Sequence, residues 1–162
     1  MDSGCKCRFS IALTLSLVGC AATGPAFKAV ESIPPGEATL YVYREGGLAL
    51  GARSAYFYVN DINVFDLDRL GYSWVALPPG RYKLRQSWPV DVLARSTQFE
   101  IDLKAGEVRY FSFGTGNCAA GYREICYSFR ELPAGAGRAA IADKQFQENF
   151  GTTKVRQSLE KK

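Results

Sequence analysis

Between Ala38 and Phe129 apolar and aromatic side chains recur at every second position, in short runs parted by turn residues. That period admits strands and excludes helices. Ala38 to Arg44 is aliphatic on one face through Leu40 and Val42 and aromatic on the other through Tyr41 and Tyr43, the pattern of a central strand. Ala55–Val59 and Ile62–Leu67 flank Asn60-Asp61, two residues that tolerate positive φ and suit a type I′ hairpin. A two-residue loop sets Val59 opposite Ile62 and Phe57 opposite Val64, with Tyr56 and Tyr58 on the reverse face. Tyr72–Leu77 and Arg81–Gln86 flank the rigid turn Pro78-Pro79-Gly80, and Arg81, Lys83 and Arg85 give one wet face. Thr97, Phe99, Ile101 and Leu103 alternate with Gln98, Glu100 and Asp102, then Lys104 to Glu107 turns the chain into Val108–Phe113. Ile125, Tyr127 and Phe129 form a last strand. The expected fold is a mainly β protein, an antiparallel β-sandwich of about 7–8 strands occupying residues 38–151. Only Arg138 to Asn149 changes period: Ala139, Ala142, Phe146 and Phe150 predict one short C-terminal amphipathic helix, with Gly151 as its C-cap. Residues 152–162 read as a basic disordered tail.

The residues before the sandwich carry a localisation signal. Lys6 and Arg8 precede an apolar stretch from Phe9 to Val18 that is too short to span a bilayer, the layout of a secretory signal over residues 1–19. Leu17-Val18-Gly19-Cys20 closes it and resembles the lipobox of bacterial lipoproteins. That resemblance implies a thiol carrying diacylglycerol, cleavage just before Cys20, and acylation of the freed amine by a fatty acid such as palmitate. Each buried methylene adds about 0.8 kcal/mol, so two or three chains hold a protein on the membrane. Alanine at position 21 implies sorting to the periplasmic face of the outer membrane, a receptor-read rule. A secreted soluble chain cut after Ala21 or Ala22 is the competing reading. Residues 20–37, small and proline-containing, read as a lipidated cysteine followed by a flexible tether, with Phe27 and Val30 as its candidate docking points.

Charge and cysteine usage exclude several function classes. Residues 20–151 hold equal numbers of basic and acidic side chains, and the net charge of +4 comes from the two termini. A nucleic-acid groove needs a basic face on the folded part, so none is expected. The chain has no histidine, which removes the commonest general base and metal ligand. Of five cysteines, Cys5 and Cys7 leave with the signal and Cys20 takes lipid. Cys118 and Cys126 remain, and in an oxidising compartment an even pair at this spacing reads as one local disulfide. Neither a metal site nor a cofactor is expected.

Residues with chemical potential are few. Asp61, Asp66 and Asp68 lie close in sequence, and paired carboxylates can do acid–base work or hold calcium, but the glycine-interrupted spacing of a calcium loop is missing and hairpin solubility explains them. Ser54, Ser73 and Ser87 have no activating histidine, and Gly114-Thr115-Gly116 lacks the lysine of a phosphate loop. Aromatic content is high at 13%, and Tyr41, Tyr43, Tyr56 and Tyr58 share one sheet face if the first strands are neighbours. Left open, that face is a candidate platform for stacking sugars or docking a partner protein. Covered by the Phe146 segment or a loop, it becomes a second small core.

Four segments in order carry a family resemblance: Thr39-Leu40-Tyr41-Val42-Tyr43-Arg44, Tyr58-Val59-Asn60-Asp61, Trp74 to Tyr82 with its Leu-Pro-Pro-Gly turn, and Ala105-Gly106-Glu107-Val108-Arg109-Tyr110. Together they resemble domain-of-unknown-function family 2846, small bacterial lipoproteins with a sandwich-like domain, over about residues 38–142. Asp61 stands where that family more often has glycine. The resemblance carries no activity. Two functional readings follow: a lipid-anchored envelope module that is not an enzyme and meets an envelope protein or peptidoglycan, or an envelope enzyme using Asp61, Asp66 and Asp68.

Overall fold

A computed structural model of the chain describes residues 21–29, 34–47, 49–92, 94–116 and 126–161. The signal segment, Cys20, Val30 and Cys118 lie outside the described residues. The strands are β1 (Ala38–Arg44), β2 (Ala55–Val59), β3 (Ile62–Leu67), β4 (Gly71–Leu77), β5 (Gly80–Ser87), β6 (Thr97–Leu103), β7 (Val108–Gly116) and β8 (Cys126–Leu132); α1 (Ala134–Ile141), β9 (Gln145–Phe146) and α2 (Thr152–Leu159) complete the chain. They form a five-stranded sheet ordered β8-β7-β1-β4-β9 and a four-stranded sheet ordered β3-β2-β5-β6.

The expected sandwich is present. Leu40, Val42, Val75, Leu77, Phe111 and Phe113 from the first sheet meet Phe57, Val59, Phe65, Tyr82, Leu84 and Leu103 from the second in one buried core. Phe57 stands edge-on to Phe113 at 5.2 Å across the two sheets. β1 is buried along its whole length, as its two apolar faces require, and it sits at the centre of its sheet.

Strand direction departs from the all-antiparallel expectation: β1 pairs in parallel with β7, and β4 with β9. Alternation fixes which face is apolar but not which way a strand runs. The whole second sheet lies between β1 and β7 in the chain, so there is ample length for a parallel crossover.

The hairpin register is corrected as well. Val59 opposes Ile62, and Asn60 and Asp61 take φ of 48° and 66°, as a type I′ turn demands. A bulge between Phe57 and Tyr58 then shifts the ladder, so Phe57 faces Phe65 and not Val64. The carbonyl of Val64 turns instead to the C-terminal segment, accepting from the amides of Phe150 at 3.0 Å and Gly151 at 3.2 Å. Glycine is required there: a Cβ on residue 151 would lie 2.2 Å from the Asn63 carbonyl oxygen.

The C-terminal third differs most from expectation. The helix predicted over 138–149 is replaced by α1, which starts earlier, at Ala134, ends at Ile141 and gives way to β9; Gly151 starts α2 instead of capping a helix C-terminus. Gly137 brings α1 down on Tyr110, where a Cβ would sit 2.3 Å from the tyrosine Cβ. The supposed disordered tail is helix α2. Asn149 Oδ1 accepts from the amides of Gly151 at 3.1 Å and Thr152 at 3.0 Å, satisfying two donors that a helix start leaves open. Val155 is fully buried and Leu159, one turn on, packs beside it on the core. Arg156 donates to Glu37 Oε2 at 2.5 Å and to the Ala76 carbonyl at 3.1 Å.

The strands divide the sandwich into two ends. Among the described residues, 45–47, 49–54, the turn 68–70 and residues 88–92 and 94–96 of the β5–β6 connection lie at the Arg44 end; the hairpin tip 60–61, the Pro78-Pro79 turn and the turn 104–107 lie at the Gly80 end.

Candidate functional site

The four tyrosines do not share a face. β1 and β2 belong to different sheets, so Tyr41 and Tyr43 lie on the outside of the five-stranded sheet, and Tyr56 and Tyr58 on the outside of the other. The sequence places successive strands as neighbours, whereas here the chain crosses from one sheet to the other after β1.

Tyr41 and Tyr43 are 3% and 6% exposed, in a second core with Tyr72, Tyr110 and Ile141. Tyr41 stacks on Tyr110 at 5.0 Å with ring planes 6° apart. Burial raises the pKa of the Tyr43, Tyr72 and Tyr110 hydroxyls. α1 supplies part of the cover, and Phe146 adds an edge contact to Tyr72 at 5.6 Å. This group is packing, not an open platform.

The rest of the cover is the N-terminal segment, expected as a flexible tether. Ala21 bridges Arg69, and the Ala22 amide donates to the Arg69 carbonyl at 2.9 Å. Ala26 bridges Gln145 of the edge strand β9, while the Phe146 amide donates to the Pro25 carbonyl at 2.7 Å. Phe27 wedges edge-on between Tyr41 at 5.8 Å and Tyr72 at 5.3 Å, and the Lys28 amide reaches the Tyr72 hydroxyl at 3.3 Å. Gly24 permits this approach, since a Cβ there would lie 1.7 Å from the Phe146 carbonyl oxygen. Residues 21–28 are thus a strap along a sheet edge that would otherwise be unpaired. Of the two candidate docking points, Phe27 docks, and Val30 lies outside the described residues.

Tyr56 and Tyr58 remain half-exposed on the outer face of the four-stranded sheet. The Arg85 guanidinium lies 3.8 Å over the Tyr58 ring centroid. β5 presents Arg81, Lys83 and Arg85 on this face and β6 presents Gln98, Glu100 and Asp102. Arg81 donates to Asp102 at 3.1 Å, so the two rows partly neutralise each other.

The three aspartates do not converge. Asp61, at the hairpin tip, pairs with Lys83 at 2.5 Å and Arg85 at 3.5 Å, and the Lys83 hydrogen bond holds its carboxyl below the ordinary range. Asp66 accepts from Asn63 at 3.0 Å, and burial raises its pKa. Asp68 lies at the other end of β3, about 20 Å from Asp61 by strand length. It ties the end of β3 to the segment after β9 and to the chain before β2: its Oδ2 accepts from Gln147 at 2.9 Å and its Oδ1 from Ser54 at 2.6 Å. Among the described residues no group of carboxylates and thiols is placed to hold a metal ion.

Two features escaped the sequence reading. An open cleft of about 380 Å³ lies between α1 and Gly46, with Tyr43, Glu45, Asp143 and Lys144 on its walls. Lys144 is buried and pairs with Asp143, and that bond lowers the Asp143 pKa. The other is Arg44. Its guanidinium, 2% exposed, donates to the carbonyls of Leu67 at 2.9 Å, Leu50 at 2.7 Å and Arg53, and stands 5.1 Å from the Trp88 ring centroid. Desolvation lowers its pKa. A charged residue closing an apolar strand was the available signal.

Fold and site together define a two-sheet β-sandwich whose N-terminal strap and C-terminal helix are integral to the body. The chain belongs to the family described as protein of unknown function (DUF2846), whose model matches residues 34–125, more than half its length. The match ends before α1 and α2, so those helices lie outside the family's matched region. No curated protein and no solved structure matches the chain.

Proposed function

We propose that this protein is a lipoprotein of the bacterial cell envelope, anchored through Cys20 on the periplasmic face of the outer membrane, with its sandwich serving as a non-catalytic binding or structural module. The observation that carries the reading is the sequence Leu17-Val18-Gly19-Cys20 after a basic and apolar leader, followed at once by residues that belong to the fold. The contacts of Ala21 and Ala22 with Arg69 suit a mature chain that starts at Cys20, because a cut after Ala22 would remove both. The separated aspartates and the internally paired Lys144 support a non-catalytic role. The surface offered to an envelope protein or to peptidoglycan is the outer face of the four-stranded sheet, where Tyr56 and Tyr58 present ring area beside Arg85.

The test is membrane recovery of Cys20→Ser. The variant should appear in the soluble fraction, while the native chain is recovered with outer membranes. Equal recovery of both in membranes overturns the reading.

A further inference from the structure

Resting on the lipid-anchor reading, we infer that the anchor joins the folded body without a spacer, so that the Arg44 end of the sandwich lies against the lipid surface and the Gly80 end points away. Consecutive Cα atoms are about 3.8 Å apart. Cys20 is therefore one peptide unit from Ala21, which bridges Arg69 at the Arg44 end. The Ala22 amide to the Arg69 carbonyl, the Phe146 amide to the Pro25 carbonyl and the Phe27 ring between Tyr41 and Tyr72 hold the strap along its length. Gly24 shows that the fit is built in, because any larger residue collides with the Phe146 carbonyl. Acyl chains leaving Cys20 enter the bilayer beside residues 68–70 and the other loops of that end.

One exposed side chain at the Arg44 end fits this placement. The β5–β6 connection carries Val90, whose side chain is completely exposed. Beside it Arg53 and Asp91 neutralise each other at 2.5 Å. Ala49, Leu50, Gly51 and Ala52 form the neighbouring loop, again without charge. The Gly80 end presents Lys104, Glu107 and an Asp61 paired with Lys83 on its turns. The Arg44 end also carries Glu45, Asp68, Arg69 and Arg95, so its fit to the lipid surface rests on the position of Ala21 and on the exposed Val90 side chain, which suits the headgroup–acyl boundary. The partner of the Arg44 end is thus the phospholipid surface itself, and the outer sheet face with Tyr56 and Tyr58 stands roughly upright to it, open to the periplasm.

Amide hydrogen exchange on the acylated protein in phosphatidylethanolamine–phosphatidylglycerol vesicles tests this. The comparison is a variant with a spacer of about 20 Gly and Ser residues, led by alanine, inserted after Cys20; its root-mean-square reach of roughly 25 Å frees the body from the surface. The native chain should exchange several-fold more slowly at residues 49–54 and 88–92 than the spacer variant, with equal exchange at 60–61, 78–80 and 104–107. Gly24→Val, which lifts the strap, should lose the same protection without leaving the membrane. Acylated native and spacer chains with equal exchange at both ends overturn the orientation while leaving the anchor reading intact. A native chain without acyl mass at Cys20 overturns both.

Discussion

Arg44→Met keeps the length and apolar body of the side chain and deletes its donors, so its effect reports the hydrogen bonds at the junction of the two sheets. The Leu50 and Arg53 carbonyls sit in a partly exposed loop and regain water, which limits their loss to about 0.5–1 kcal/mol each. The Leu67 carbonyl is buried at the end of β3 and is left without its donor, at about 1–3 kcal/mol. Losing the contact with the Trp88 face adds roughly 1 kcal/mol, and relief of the guanidinium's desolvation offsets about as much. The expected destabilisation is therefore about 3 kcal/mol. It should be read from urea denaturation with an unchanged m-value, and as a melting temperature lower by roughly 6–12 °C. Arg44→Lys should recover only part, because one ammonium cannot span three carbonyls in a fixed fork. If Arg44→Met unfolds within about 0.5 kcal/mol of the native chain, the guanidinium's bonds do no more than repay its burial and the reasoning fails.

The C-terminal helix should behave as core. Val155→Ala should cost roughly 2 kcal/mol in the same denaturation assay, whereas the exposed neighbour Lys154→Ala should change little; equal effects would restore the view of a frayed tail. Cys118 and Cys126 should be joined in the exported protein, closing a loop worth roughly 2 to 3 kcal/mol, and free thiols titrating at both positions would rule this out. Tyr56→Ser with Tyr58→Ser should leave the fold standing, since both rings are half-exposed, and should deplete the envelope partners crosslinked in intact cells. An unchanged crosslinking profile removes the recognition role from that face.

The strands were legible because each side chain on a sheet has only two directions to face, and the alternation of Phe99, Ile101 and Leu103 with Gln98, Glu100 and Asp102 records them directly. Sheet membership was not, because it depends on where the chain crosses over. That is why Tyr41 and Tyr56, alike in local pattern, end on opposite sides of the molecule. The bulge at Phe57–Tyr58 was equally hidden: Val64 and Phe65 are adjacent apolar residues, both buried, and alternation alone cannot bury both. At the C-terminus the lysines and Arg156 masked a two-residue apolar stripe, Val155 and Leu159, that only tertiary contact turns into a helix. The strap was half visible: Phe27 announced a docking point, but the hydrogen bonds at Arg69 and Phe146 run through the backbone and leave no trace in side-chain chemistry. Arg44 was read as the end of a strand motif, and its three carbonyl acceptors come from residues distant in pattern, which only the folded junction collects.

The most direct test of the account is the intact mass of the N-terminal peptide of the protein purified from membranes. The account predicts a peptide beginning at Cys20, heavier than its sequence by an S-linked diacylglycerol and an N-linked fatty acyl chain. A peptide beginning at Ala22 or Thr23, or an unmodified one beginning at Met1, would contradict it.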